Sequence, residues 1–347
     1  MRAFVVTAPG EAAVQDVDPP LATPGEVVVD VERVGVCGTD VEFFTGVMAY
    51  LRDGHSTFPM RLGHEWAGTV SAVGAGVDGG WVGRRVTGDT MLGCGRCRRC
   101  RAGRQHVCEY RQEVGIRGGR PGALAESLAM PVSALHLLPE AVEVVAGALV
   151  EPGGNALRSA QAADLRPGRR VLVLGAGTIG SLVAMFARAA GAEVHLMGRS
   201  ARSLDFARTL ELDGVWSEAE LPDLPYDAVI DASNHPALPA KALDLVESGG
   251  RVVYVGLAGS PSTIDTRTLA LKDVTAVGVL SASPGLAGTI EAYADGTVDP
   301  RPIVAATVGL DDVAGVLAGH RPDRAGPGPK IHVDPRLEGS RTPGGGA

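Results

Sequence analysis

At 347 residues, with 45% hydrophobic and 21% charged residues, the chain can bury real cores and exceeds one ordinary core, which excludes a disordered tract and implies two domains. A net charge of −8 argues against a general binder of nucleic-acid backbone. No basic segment leading into an apolar one opens the chain and no uncharged apolar run reaches about 18 residues, so a soluble, cytoplasmic protein without membrane partners is expected.

In chain order, short apolar runs punctuated by Gly and Pro come first, at residues 3–7, 27–34, 68–73, 82–87 and 124–130. Their rhythm reads as an antiparallel, β-rich domain. From about Asn155 the pattern changes to strand, glycine turn and small-residue helix (170–174, then 179–190), followed by strands at 193–197, 227–231, 251–255 and 274–279 and a helix at 237–245. Alternation of that kind gives a parallel, doubly wound α/β sheet. Residues 298–333 return to β-like runs with a short helix near 310–318, so the last section is expected to fold back onto the first domain. The tail 338–347, rich in Gly, Pro and Ser, is expected to be disordered.

Four of the five cysteines crowd into one short loop, Cys94-x2-Cys97-x2-Cys100-x7-Cys108. Four thiolates from one loop suit a structural Zn2+, which takes four ligands tetrahedrally and holds such a loop folded. An iron–sulfur cluster is the rival reading, but the bacterial pattern places Pro after the last cysteine and Glu109 stands there. The arginines between Arg96 and Arg104 are read as solvating the lobe and offsetting its thiolate charge. The fifth cysteine lies in Gly35-Val36-Cys37-Gly38-Thr39-Asp40, with Gly63-His64-Glu65 and Val150-Glu151-Pro152 downstream. Cys, His and carboxylate, with a fourth position held by water, substrate or a second carboxylate, describe a catalytic zinc site. Each element is weak alone, since a lone cysteine is usually a small core hydrophobe; their order and spacing around the lobe give them weight.

Strand 170–174 runs into Gly175-Ala176-Gly177-Thr178-Ile179-Gly180 and a helix follows, the context a dinucleotide turn requires. Gly175 permits the tight turn, Gly177 lets backbone approach a pyrophosphate, and Gly180 allows the helix to pack on the sheet. The helix start at Thr178 and Ile179 faces the phosphates. Where an NAD enzyme places Asp or Glu after the second strand, this chain has Gly198-Arg199-Ser200-Ala201-Arg202. The missing acid and the Arg199 fork favour NADP(H) over NAD(H). Ser200 as a helix cap and Arg202 as a surface charge are the plainer readings of those two residues.

Over nearly its whole length the chain resembles the zinc-dependent medium-chain dehydrogenases, through Cys37-Gly-Thr-Asp40, Gly63-His-Glu65, the four-cysteine lobe, Glu151-Pro152 and the glycine turn. That resemblance implies a GroES-like catalytic domain over 1–154 and 296–347, with its structural-zinc lobe at 92–110, and a Rossmann NADP-binding domain over 155–295. It implies a catalytic zinc on Cys37, His64 and either Glu65 or Glu151, as in the polyol and glucose dehydrogenase branch. Thr39 matches the hydroxyl that relays the alcohol proton, Asp40 matches a partner that orients the metal ligands, and Ser233 and Asn234 fall beside the nicotinamide. The relay histidine found in some members is replaced by Glu42, read as a proton relay, a substrate ligand or a solvated side chain.

Glu113 resembles the position where sugar dehydrogenases place an acid near substrate hydroxyls, and Asp89 and Glu42 are read as joining it; ordinary surface acids are the plainer alternative. More loosely, the chain resembles aminocyclitol dehydrogenases of bacterial antibiotic pathways. A small polyhydroxylated or amino-sugar substrate is therefore expected, with the protein a homodimer or homotetramer as is common in the family. Two other classes stand beside this one, a zinc-free reductase of the same superfamily and a non-catalytic NADP-binding sensor that keeps only structural zinc.

Overall fold

The computed structural model describes residues 1–337; the tail 338–347 lies outside the described residues. Two sheets organise the chain. The first has seven strands, and its spine is Glu26–Gly35, which pairs antiparallel with Glu65–Val73, Ser127–Pro131 and Lys330–Val333. Val27, Val29 and Val31 alternate inward along that spine, each fully buried beside Trp66, Val70 and Met130. The return of Lys330–Val333 to the spine puts His332 opposite Gly35, and the same Gly35 lies opposite Glu65. One end of this sheet therefore gathers residues that are nearly 300 positions apart.

The second sheet has six parallel strands in the spatial order Gly214–Trp216, Glu193–Met197, Arg170–Leu174, Tyr226–Asp231, Val246–Tyr254 and Thr275–Gly278. Within Arg170–Leu174, Val171 and Val173 join one core and Leu172 and Leu174 the other. Both faces are thus covered, as a parallel sheet requires. Strand order reverses between Arg170–Leu174 and Tyr226–Asp231, which opens a crevice at their carboxyl ends.

Helix Ala201–Arg208 follows the Ser200 cap, and several elements go beyond the expected set: strand Gly214–Trp216 and helices Gly38–Thr45, Val150–Ala162 and Leu286–Ala294. Helix Val150–Ala162 carries Glu151 and crosses position 154, where the two expected domains meet. Its Pro152 sits in the first turn, where a missing N–H costs nothing. Gly153 and Gly154 are there for packing: a Cβ would come within 2.2 Å of the Tyr293 hydroxyl at the first and 2.8 Å of the Ala282 Cβ at the second. Ala67 and Leu138 from the first half share one core with Val171 and Leu182 from the second, so the halves are joined by packed apolar contact.

Candidate functional site

A cleft of about 1640 Å³ runs between the two sheets. Cys37, Thr39, Glu42, His64, Glu65, Glu113, Glu151 and Lys330 line one side, and Gly175, Gly177, Thr178, Ile179, Gly198, Arg199, Ser200, Arg202 and Ser233 line the other.

Cys37 caps the N-terminus of helix Gly38–Thr45, and His64 and Glu65 lie at the start of strand Glu65–Val73. Ligand atoms of Cys37, His64 and Glu65 lie within 4.8 Å of one another, a spacing that a single zinc ion spans. Asp40, fully buried, ties the two loops together: its carboxylate accepts from the backbone N–H of Cys37 at 2.9 Å and of Gly63 at 3.1 Å. His64 Nδ1 lies 3.6 Å from the same carboxylate and has no hydrogen bond. Burial pushes the Asp40 carboxyl up, yet the charge of His64 and the two backbone donors outweigh it and hold it lowered. Gly63 takes φ +95°, and a Cβ there would meet Leu124 N at 2.8 Å, so no other residue turns the chain into His64 this way.

Glu65 has a second partner. Lys330 Nζ donates to its two oxygens at 2.9 and 2.6 Å and to Val36 O at 2.9 Å, with both side chains almost fully buried. Burial disfavours the ammonium, but the Glu65 charge more than compensates and raises the Lys330 pKa. The carboxylate can lie there only because residue 35 is glycine: a Cβ would sit 2.1 Å from Glu65 Oε2. Glu151 lies outside the close trio, held by Asn155 Nδ2 at 3.1 Å. Burial, with help from the Glu65 charge, pushes its carboxyl up to about 7.

The four lobe cysteines also converge, with sulfur atoms within 4.8 Å of one another. Cys97 and Cys108 sulfurs are 3.8 Å apart, which matches the edge of about 3.8 Å for a tetrahedron with Zn–S of about 2.3 Å. The N–H groups of Arg96 and Cys97 lower the Cys94 thiol to about 6, as a thiolate ligand needs.

Along the opposite wall Gly175 takes φ +110°, and a Cβ there would approach Ala232 O to 3.0 Å; at Gly180 it would overlap Gly175 O at 1.8 Å. Gly177 is different, because a Cβ there meets nothing within 4 Å. Its side faces open cleft, where backbone can approach a pyrophosphate over the start of helix Thr178–Ala189. Gly198 has a packing reason to be glycine: a Cβ would lie 2.8 Å from Ala176 Cβ and 2.9 Å from Leu204 Cδ2. Ser200 caps helix Ala201–Arg208 by accepting from Ser203 N at 3.2 Å, while still lining the cleft. Ser233 Oγ donates to buried Asp231 at 2.8 Å, which fixes the turn after Tyr226–Asp231.

The three acids read as facing substrate have separate fates. Glu42 lines the cleft half-buried, its carboxylate without a hydrogen bond or ion pair among the described residues, and burial raises its pKa. Glu113 also lines it, but its carboxylate is held by Arg111 Nε at 2.8 Å and by the Tyr50 hydroxyl at 3.4 Å. Asp89 is a correction: it does not line the cleft. Its buried carboxylate accepts from Met91 N, Gln105 Nε2 and Ser283 Oγ at 2.9, 3.0 and 2.7 Å, binding the cysteine lobe to the loop after Thr275–Gly278. Lys330, Gly35, Asn155 and Arg321 are cleft or supporting residues that sequence reasoning missed. A lone lysine before a β run carries no local signal, and Gly35 reads as turn punctuation.

Comparison with known proteins agrees with this architecture. Residues 23–140 match the alcohol dehydrogenase GroES-like domain and residues 178–295 match the zinc-binding dehydrogenase family. The chain is 30% identical over 308 residues to the 2-dehydro-3-deoxy-L-galactonate 5-dehydrogenase of Pseudoalteromonas atlantica, covering 85% of this chain and 87% of that one. To the L-threonine 3-dehydrogenase of Idiomarina loihiensis it is 33% identical over 280 residues, 76% and 79% of the two chains. A crystal structure of a putative zinc-binding dehydrogenase from Sinorhizobium meliloti bound to NADP superposes with a TM-score of 0.86 at 27% identity, covering 96% and 99%. The chain belongs to the zinc-dependent medium-chain dehydrogenases, a family of NAD(P)-dependent oxidoreductases. None of the described helices is long and apolar enough to cross a membrane.

Proposed function

We propose that this protein transfers a hydride between NADP(H) and a secondary alcohol or ketone of an uncharged or aminated polyol: a sugar, cyclitol or amino sugar, including the aminocyclitols of antibiotic assembly. The observation that carries the reading is the meeting of Cys37, His64, Glu65 and Thr39 with the Gly175–Gly180 turn in one cleft. When bound, zinc supplies a Lewis acid for the substrate oxygen, and the coenzyme supplies or accepts the hydride. Cys37, His64 and an acid, Glu65 or Glu151, are the residues that fit the metal, and the lobe cysteines fit a second, structural ion.

Thr39 lines the cleft next to Cys37, and its side chain has no hydrogen bond among the described residues. Its hydroxyl is free to take the substrate's alcohol proton and pass it outward. Glu42, further along the same helix, is placed to receive that proton or to hold a substrate ammonium or hydroxyl.

Charge supports the substrate class. Among the described residues that line the cleft, Lys330 is the cation beside the metal-like cluster and Glu65 occupies it, while the others, Arg199, Arg202, Lys241 and Arg321, lie outside that cluster. Glu42 keeps an unpaired carboxylate in the cleft. An acid substrate would bring its negative charge beside the unpaired Glu42 carboxylate, where no lining side-chain cation is free among the described residues and only the zinc would offset it. The cleft accordingly suits neutral or ammonium-bearing polyols better than amino acids or sugar acids.

Self-association as a homodimer or homotetramer is supported by Thr275–Gly278, the open edge of the six-stranded sheet, with Thr275, Ala276 and Gly278 exposed. Cys37, His64 and the lobe weigh against a zinc-free reductase, and a coenzyme sensor has no use for Cys37. The test is a panel of polyols, aminocyclitols, sugar acids and L-threonine with each coenzyme. Turnover of neutral or aminated polyols with NADP is expected, and turnover confined to acids, or equal efficiency with NAD, would defeat the reading.

A further inference from the structure

We propose that Arg321 is a specificity-determining residue for the coenzyme, completing with Arg199 and Arg202 an anion site for the ribose 2′-phosphate. The inference rests on the NADP reading above and adds a residue from a different part of the fold. Arg199 and Arg202 follow strand Glu193–Met197 in the dinucleotide-binding half. Arg321 lies in the segment between helix Val313–Leu317 and strand Lys330–Val333, which belongs to the first sheet. All three line the same cleft, with Gly319 and His320 beside Arg321.

Three observations point to a shared anion. First, Arg321 is held in place: its Nη2 donates to Gly328 O at 2.7 Å and also to Gly326 O. Its loop thus uses one nitrogen and leaves Nε and Nη1 without a protein partner among the described residues. Second, like charge meets like: burial and then the charge of Arg202 lower the Arg321 pKa. Third, no carboxylate pairs with Arg199, Arg202 or Arg321 among the described residues, whereas Lys241 on the same rim is neutralised by Glu218 at 2.5 Å. Arg202 and Arg321 repel each other without a counter-charge, Arg199 lines the same cleft, and a phosphate accepts forked hydrogen bonds from several guanidinium groups at once. A bare ribose diol offers no negative charge to offset that repulsion. Because Arg321 comes from the metal-binding half, a 2′-phosphate also ties the two halves across the cleft.

The test is calorimetric binding of 2′,5′-ADP and 5′-ADP to the zinc-loaded protein and to its Arg321→Gln and Arg199→Gln variants. Wild type should bind 2′,5′-ADP at least about tenfold more tightly than 5′-ADP, and Arg321→Gln should remove about tenfold from the first while leaving the second unchanged. Arg321→Lys, which keeps the charge, should recover part of the loss; it also serves if the glutamine variant is poorly folded. An equal loss for both ligands places Arg321 at the pyrophosphate or in folding and overturns the inference. So does no loss in Arg321→Gln alongside a clear loss in Arg199→Gln, which leaves the NADP reading intact. Failure of wild type to discriminate the two ligands overturns the NADP reading itself, and the inference with it.

Discussion

Lys330 and Glu65 form a buried ion pair, with Nζ 2.6 and 2.9 Å from the two carboxylate oxygens, at the spot where Glu65 also lies within ligand distance of Cys37 and His64. One carboxylate is thus shared between a protein cation and a candidate metal. Breaking a buried pair by removing one partner costs about 3–5 kcal/mol, because the other charge is stranded. Lys330→Met should therefore destabilise the metal-free protein by about that much, and the zinc-loaded protein by clearly less, since zinc offers Glu65 a new counter-charge. Thermal melts with excess zinc and with chelator measure the difference. An equal loss in both conditions means that Glu65 does not meet the metal and that Glu151 is the acidic ligand.

Gly35 makes that pair possible, so Gly35→Ala should act through Glu65. The new methyl, 2.1 Å from Oε2, must displace the carboxylate. We expect turnover to fall about tenfold or more, with a destabilisation of about 1–3 kcal/mol. In a Glu65→Ala background the same change should cost little. A double-mutant cycle reads the coupling, and additive effects would show that Gly35 matters for another reason.

Much of this was legible in the sequence where local pattern and chemistry coincide. Strands Arg170–Leu174 and Glu193–Met197 fall where apolar runs end at glycine, and the glycine turn opens a helix as its motif requires. The two metal-like clusters, Cys94/Cys97/Cys100/Cys108 and Cys37/His64/Glu65, were recoverable from residue type and spacing. What escaped depends on contact between distant segments. Pro152-Gly153-Gly154 opens a helix whose glycines admit Tyr293 and Ala282, more than 120 residues away. Asp89 reads as a cleft acid, but Ser283, 194 residues away, takes its carboxylate. Lys330 meets Glu65 only because the chain returns to its first sheet.

Gly198 sharpens the coenzyme argument. The absence of an acid there is enforced by Ala176 and Leu204, which leave no room for a Cβ. Gly198→Asp, the obvious change to favour NAD, should therefore destabilise the fold by about 1–3 kcal/mol and gain little NAD activity. Gly198→Ala should show most of the same loss. Melting temperatures and kcat/KM for both coenzymes check this; a stable variant with a clean switch to NAD would contradict the packing account.

Acid stability should report on His332. It is fully buried, neither ring nitrogen has a partner, and burial, Lys330 and Arg33 push its pKa down to about 3. The unfolded chain, with an ordinary value of 6.5, takes up this proton first. Stability from keeping His332 neutral is complete above about pH 6.5 and is lost as pH falls towards 3, at about 1.4 kcal/mol per unit. Between pH 6 and 4.5 wild type should lose about 2 kcal/mol more than His332→Phe. Denaturant melts across that range test it, and the difference between the proteins isolates the residue because metal loss in acid is common to both. Parallel curves would contradict it.

The most direct measurement is the zinc content of purified protein alongside turnover. Two donor clusters predict about two zinc ions per chain in wild type. Cys37→Ser should keep one, in the cysteine lobe, and lose dehydrogenase activity while still binding coenzyme. A Cys37→Ser protein that retains both ions and full turnover would contradict the account.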